Sequence, residues 1–284
     1  MPFTLSHAAA VLPGVRRDGR GRGPFLASGL VLGSFAPDMT YFTAGLVPGA
    51  MRFGSVTHSP VGVLTVDVLV TAALVGCWLL LREPLVALLP AARRGRAYAL
   101  LRGEDLRGRS LPATAGRLYV SAVVGASTHV VWDAFTHLDR YGTNTWPWLS
   151  DDYGGFPLYT YLQYGSSLLA AGALLWFLGS AWRRLPATPA VPPGVPPLGR
   201  GERWGAVALI GGCVAVGTAL RVARFFTYFD RVHTPVDIVP TICFGAGAGL
   251  IGGLVLYSVL LRIRTRIRLR RRRRTGTPAP TGVR

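Results

Sequence analysis

The segment His129-Val-Val-Trp-Asp133-Ala-Phe-Thr-His137 places two imidazoles and a carboxylate at i, i+4 and i+8 where an otherwise apolar helix runs out. On an α-helix such positions drift only ~80° around the axis, so the spacing predicts one shared face. Three more ionisable residues, His7, Asp38 and His58, stand at apolar positions upstream. Neutral imidazole and carboxylate are ligands for Zn²⁺, Mn²⁺ or Fe²⁺, whereas a Ca²⁺ site would use oxygen alone. A divalent ion brings the pKa of its water towards neutrality, and a carboxylate bridging two ions ~3.5–4 Å apart suits phosphoester hydrolysis. A lone histidine between membrane helices is more often a satisfied packing residue. Four histidines and two aspartates in this order point instead to a site for a divalent metal, zinc first, with Mn or Fe as alternatives.

The elements that must position these residues belong to a membrane protein. Half of the 284 residues are hydrophobic, only 15% are charged, and the mean hydropathy is +0.36. Several apolar runs approach the ~20 residues that a bilayer-spanning helix requires. The formal net charge is +18, and all 31 basic residues are Arg, nine of them between Arg262 and Arg274. Cationic loops beside apolar segments report orientation and contact with anionic headgroups, so membrane lipids are the expected partners and nucleic acid is not. Cys77, Cys213 and Cys243 lie in apolar runs and form neither a disulfide framework nor a Cys-x-x-Cys knuckle.

The pattern predicts an all-α, polytopic bundle of five or six transmembrane helices. Thr4 or Ser6 should cap a short helix over 4–12. Five spans are expected at 61–81, 118–136, 158–182, 204–226 and 237–261. A sixth arises if 25–47 crosses, although Pro37 and Asp38 interrupt it. Residues 1–182 would form a membrane domain with the metal site. Residues 183–203 would be a Pro/Arg-rich cytoplasmic linker, 204–261 a C-terminal helix pair, and 262–284 a disordered, Arg-rich cytoplasmic tail on anionic headgroups. Arg counts place 82–117, 183–203 and the tail in the cytoplasm, and 39–60, 138–157 and 227–236 outside. A multi-pass protein of the cytoplasmic membrane follows, with its C-terminus cytoplasmic and the His129 row near the outer face. His7 reaches that row only if 1–47 is a helical hairpin, and the four Arg at 16–22 would then lie against the positive-inside preference.

The opening Met1-Pro-Phe-Thr-Leu-Ser-His7, then Gly33-Ser-Phe-Ala-Pro-Asp38, Thr57-His58-Ser59 and the His129-x-x-x-Asp133-x-x-x-His137 row resemble an uncharacterised membrane-protein family frequent in actinobacteria. In motif order the chain is similar to inner-membrane metal-dependent hydrolases and to zinc-dependent phospholipase C, over about residues 1–170. The resemblance implies that Asp38, His58, His129 and Asp133 hold one metal and are the catalytic ligands. His7 with Asp133 would help hold a second ion, and His137 a third. The late His-x-x-x-Glu pair of the phospholipases is missing, and Gln163-Tyr164-Gly-Ser-Ser167 stands in its place.

Weaker signals surround this set. Asp67 is either a partner orienting a ligand or an interhelical hydrogen-bonding group. His233-Thr-Pro-Val-Asp237 repeats the His-x-x-x-Asp spacing but reads as a polar turn, because Pro235 opposes a regular helix. The aromatics of 141–156 suit interfacial anchoring or a lid, and Ser166 and Ser167 suit close helix packing. The expected function is metal-dependent hydrolysis, of phosphoesters in a lipid or envelope precursor. The alternative is a non-catalytic carrier or structural membrane protein.

Overall fold

The structure, a computed structural model, describes residues 3–47, 49–104, 109–185, 195–232 and 235–274. It is all-α apart from one small hairpin. Four short helices come first: α1 (Ala27–Gly33), α2 (Met39–Thr43), α3 (Gly54–Thr57) and α4 (Pro60–Leu64), with 3-10 turns at Thr4–Ala9 and Ala36–Asp38. Then follow α5 (Val66–Leu88), α6 (Ala91–Leu101), α7 (Leu111–Thr136) and α8 (Tyr141–Thr145). Strands β1 (Asp152–Tyr153) and β2 (Phe156–Pro157) pair antiparallel before α9 (Leu158–Arg184), α10 (Arg200–Phe225) and α11 (Pro235–Arg274).

Local chemistry sets these boundaries. Ser59 Oγ accepts the Gly62 N–H at 3.0 Å and Pro60 follows it, so α4 starts on a capped, Pro-led turn. Thr65, at φ −128° and ψ −76°, separates α4 from α5, so the first long helix begins at Val66 rather than at 61. Ser110 caps α7 through the Ala113 N–H, with Pro112 in the first turn.

Among the described residues, four helices are long and apolar enough to cross a membrane: α5, α9, α10 and the stretch Asp237–Arg268 of α11. Five or six were expected. The helix expected at 118–136 is present as α7, but it is not one of the four; its Ser, Thr, His129 and Asp133 lower its hydropathy. The stretch 25–47 is no continuous span either, since Pro37 breaks it into α1, a 3-10 turn and α2. Apolar side chains on the long helices remain uncovered, among them Leu168, Leu169 and Leu175 on α9 and Leu220 on α10. Surface of this kind suits a lipid surround.

Residues 4–38 form the hairpin, and its direction removes the conflict over Arg16 to Arg22. Both limbs start and end at the metal-type residues, while the tip lies at the opposite end of the molecule. There the Gly21 and Ala27 N–H groups donate to Glu104, and Arg117 donates to the carbonyls of Gly23, Pro24 and Phe25. The four Arg of the tip therefore join the other Arg-rich connectors. Val11, Val15, Leu30 and Phe177 bury the hairpin against α9, each worth about 1.5–3 kcal/mol of apolar transfer.

The C-terminal pair packs through small residues. A Cβ on Gly249 would lie 2.2 Å from the Cys213 carbonyl oxygen, and Gly245 and Gly253 continue that seam along α11. The pair attaches to the rest through Phe244, which meets Tyr41 at 5.6 Å and Phe42 at 5.0 Å. The disorder expected from 262 does not begin there. α11 runs on to Arg274, with Arg264 and Arg268 facing Glu202 of α10. Residues 275–284, and most of the linker (186–194), lie outside the described residues.

Candidate metal centre

Gly125, one turn before His129, starts the construction of the site. A Cβ there would sit 2.4 Å from the Leu30 carbonyl oxygen and 2.7 Å from the Ser34 nitrogen. Only glycine lets α1 come this close to α7. The approach brings the Ser34 carbonyl within 2.7 Å of His129 Nδ1. Nδ1–H donates to it, which leaves the Nε2 lone pair directed inward. His58 is set in the same way, with Nδ1 2.9 Å from the Gly54 carbonyl oxygen. Thr57 fixes the end of α3 by donating to the Pro37 carbonyl at 2.8 Å, joining His58 to the Asp38 turn.

The inward atoms converge. Asp38, His58, His129 and Asp133 each offer a ligand atom, all within 4.8 Å of one another. Asp133 Oδ2 lies 3.4 Å from His129 Nε2 and 3.6 Å from His58 Nε2, and Asp38 Oδ1 lies 3.5 Å from His129 Nε2. The other oxygen, Asp133 Oδ1, faces His7 Nε2 at 3.4 Å and His137 Nδ1 at 3.5 Å. These separations are long for hydrogen bonds. They fit ligand atoms around a shared cation, because bonds of 2.0–2.2 Å in tetrahedral geometry put ligands about 3.3–3.6 Å apart.

Burial makes the same point. Asp38 and His129 are wholly buried, His7 is 1% exposed and Asp133 3%. Even so, His7 Nε2, His58 Nε2, His129 Nε2, Asp38 Oδ1 and Asp133 Oδ1 have no hydrogen-bond partner among the described residues. Buried carboxylates and imidazoles are costly unless paired or ligated, so the donor set fits a divalent cation. Burial holds His7 below its usual pKa, with His129 beside it adding to the shift. Burial likewise pushes His137 down to about 4. Both imidazoles are neutral at pH 7, the form that binds metal.

All six residues singled out in the sequence therefore meet at one place, though not all by the expected route. His137 is not on the helix. α7 ends at Thr136, and His137 has extended backbone (φ −135°, ψ 143°) that turns its ring back to Asp133. Thr4 does not cap the first turn; its hydroxyl donates to Asp38 Oδ2. Gln163 is buried with Nε2 3.3 Å from His137 Nε2, so it occupies the position beside His137 that the late ligand pair left open. The Ser34 and Gly54 carbonyls had no sequence signal, because any residue carries a carbonyl. Asp67 is buried in the first turn of α5, but both carboxylate oxygens lack a hydrogen-bond partner among the described residues, so neither hydrogen-bonding expectation is met. His233 lies outside the described residues, and Asp237 is exposed in the first turn of α11.

Thr4→Val keeps the shape of Thr4 and removes its donor to Asp38. The variant should bind metal about 10–100-fold more weakly, the usual scale for an outer partner of a ligand. Competition against a chromogenic chelator reads this directly, and unchanged affinity would show that Thr4 serves packing alone.

Fold and centre together define a helical protein with membrane-type helices built around a buried His/Asp cluster. The chain belongs to a family described as a domain of unknown function (DUF4184), whose profile matches residues 1–259. That match runs well past the short motifs and takes in α10 and most of α11, so the C-terminal pair is part of the family unit. Comparison with curated proteins and with solved structures gives no match.

Proposed function

We propose that this chain is a metal-dependent hydrolase of phosphoesters embedded in the cytoplasmic membrane, with its centre near the outer face and its C-terminus in the cytoplasm. One observation carries the reading: the two oxygens of Asp133 face two different sets of imidazoles inside a buried pocket. Asp38, His58, His129 and Asp133 Oδ2 would hold one ion, and His7, His137 and Asp133 Oδ1 would hold a second. When bound, a divalent cation such as zinc supplies Lewis acidity towards a phosphoryl oxygen and a hydroxide at neutral pH.

The chain's own residues do the rest. Ser34 and Gly54 fix the imidazole tautomers, Thr4 orients Asp38, and Gln163 stands against His137. His137, whose side chain is 22% exposed, marks the side from which substrate would enter. A groove of about 440 Å³ runs between α7 and α9, lined by Val131, Trp132, Phe135, Leu162 and Thr136, the residue before His137. Its apolar walls favour a substrate with an acyl or isoprenoid chain. The motif order shared with membrane metal-dependent hydrolases adds support, and the Arg-rich connectors at the far end support the orientation.

The near-complete burial of Asp38 and His129 favours a second reading, a non-catalytic membrane protein whose ion ties α1, α3 and α7 together. The exposed edge of His137 argues for the first. Elemental analysis of protein purified in detergent without chelator, beside His129→Ala and Asp133→Ala, tests both. Bound Zn or Mn that both variants lose, followed by turnover of a phosphomonoester or phosphodiester panel, is the result expected. Bound metal with no turnover across that panel favours the structural ion. Metal-free protein that cannot be reloaded overturns both readings.

A further inference from the structure

Arg140, at the rim of the centre, is a cation that no carboxylate of the described residues pairs with. It follows α7 by four residues and is half-buried. Its one side-chain hydrogen-bond partner among the described residues is reached by a long bond, from guanidinium Nη2 to the Tyr41 hydroxyl oxygen at 3.5 Å. Tyr41 in turn lies beside the metal-type residues, its ring 5.9 Å from that of His58. Burial raises the Tyr41 phenol above its usual pKa, so it keeps its proton at pH 7. That proton has no acceptor among the described residues.

An unpaired guanidinium and an unused O–H, side by side next to a His/Asp centre, form an anion-binding arm. A guanidinium offers a planar fork that matches two oxygens of a phosphoryl group, which a solvated lysine does not. The arm is held from behind. Phe244 of α11 packs on Tyr41, and Arg224 of α10 donates to the Ala44 carbonyl at 3.2 Å, fixing the segment after α2. This gives the C-terminal pair a part in the site.

We propose that Arg140, together with the Tyr41 hydroxyl, binds the phosphoryl oxygens of an anionic phosphoester presented to the His/Asp centre. The inference rests on the phosphoester reading above and adds to it the group that recognises the charge. The same chemistry suits a lipid phosphate headgroup and a free phosphate.

The test uses the full chain in detergent, loaded with Zn²⁺, with inorganic phosphate titrated by calorimetry. Arg140→Gln should weaken phosphate about 10–100-fold at unchanged metal content, the scale of losing charged hydrogen bonds. Arg140→Lys should recover part of that loss, since it restores the charge but not the fork. Equal phosphate affinity in wild type and Arg140→Gln, at equal metal content, overturns the proposal.

Should Arg140→Gln fold poorly, Tyr41→Phe decides, because it removes one hydroxyl only. A several-fold loss supports the arm, and no loss overturns it. Dioleoyl phosphatidate added to the micelles separates the sources: displacement of phosphate assigns the arm to a lipid headgroup, and no displacement assigns it to a free phosphate, the shared chemistry standing in either case. Metal-loaded wild type that binds no phosphate overturns the arm and leaves the metal centre. Arg140-dependent phosphate binding by wild type that holds no metal keeps the arm and overturns the hydrolase reading.

Discussion

Asp133→Ala should release all bound metal, whereas loss of His137 should release only part of it. The difference follows from where the oxygens of Asp133 point. Oδ2 lies 3.6 Å from His58 and 3.4 Å from His129, while Oδ1 lies 3.4 Å from His7 and 3.5 Å from His137. Removing the carboxylate takes a ligand from both sets at once and leaves three buried imidazoles and the partly exposed His137 with only Asp38 for charge. Turnover of any phosphoester should fall by about 10²–10³-fold or more, since losing one main stabiliser of transition-state charge already costs that much. His137→Ala, at the exposed edge, should cost about 10–100-fold in affinity for one ion. Metal stoichiometry, with circular dichroism as a check on folding, measures the contrast. Full metal content in Asp133→Ala would refute a bridging role.

The second large effect is expected at a residue with no side chain. Gly125→Val should destabilise the protein by about 1–3 kcal/mol, the usual cost of forcing atoms into a packed contact. The added atoms meet the backbone of Leu30 and Ser34, which has no rotamer to yield. α1 must then move off α7, and the Ser34 carbonyl leaves His129 Nδ1, so metal affinity should fall together with stability. Gly76→Ala on α5 is the matched control, because nothing lies within 4 Å of a Cβ there. Thermal unfolding followed by tryptophan fluorescence, with and without chelator, reads both effects. A Gly125→Val protein as stable and as rich in metal as wild type would mean that α1 tolerates displacement.

The candidate ligands were legible in the sequence because charge inside apolar sequence stands out. A histidine or aspartate among Val, Leu and Ala costs too much to be incidental. The long helices were legible for the related reason that apolar runs of sufficient length have few other uses. Other features left no trace. Thr4 looked like a helix cap, since a threonine near a helix start usually is one, and its bond to Asp38 depends on a fold-back that periodicity does not encode. The i+8 spacing put His137 on the helix face, although the helix stops one residue short and extended backbone delivers the ring to nearly the same place. The direction of the 4–38 hairpin followed from Glu104 and Arg117, two residues remote in sequence from its tip. α7 shows the limit of hydropathy itself, for the residues that build the site are the ones that remove it from the apolar helices.

The bonds that orient the centre join positions far apart in the chain: Thr4 to Asp38 across 34 residues and Ser34 to His129 across 95. During synthesis the early ligands are made first, and α7 is made only after α5 and α6. Until α7 arrives, His7, Asp38 and His58 lack the partners that α7 brings, and chaperones or membrane proteases would meet a molecule with those polar groups still exposed. Closure of α7 on α1 ends that interval and makes the centre in the same event. An ion held by these residues would therefore be taken up only once α7 is in place, and a shortage of metal in the cell would register as shortened lifetime of the protein before it registered as lost activity.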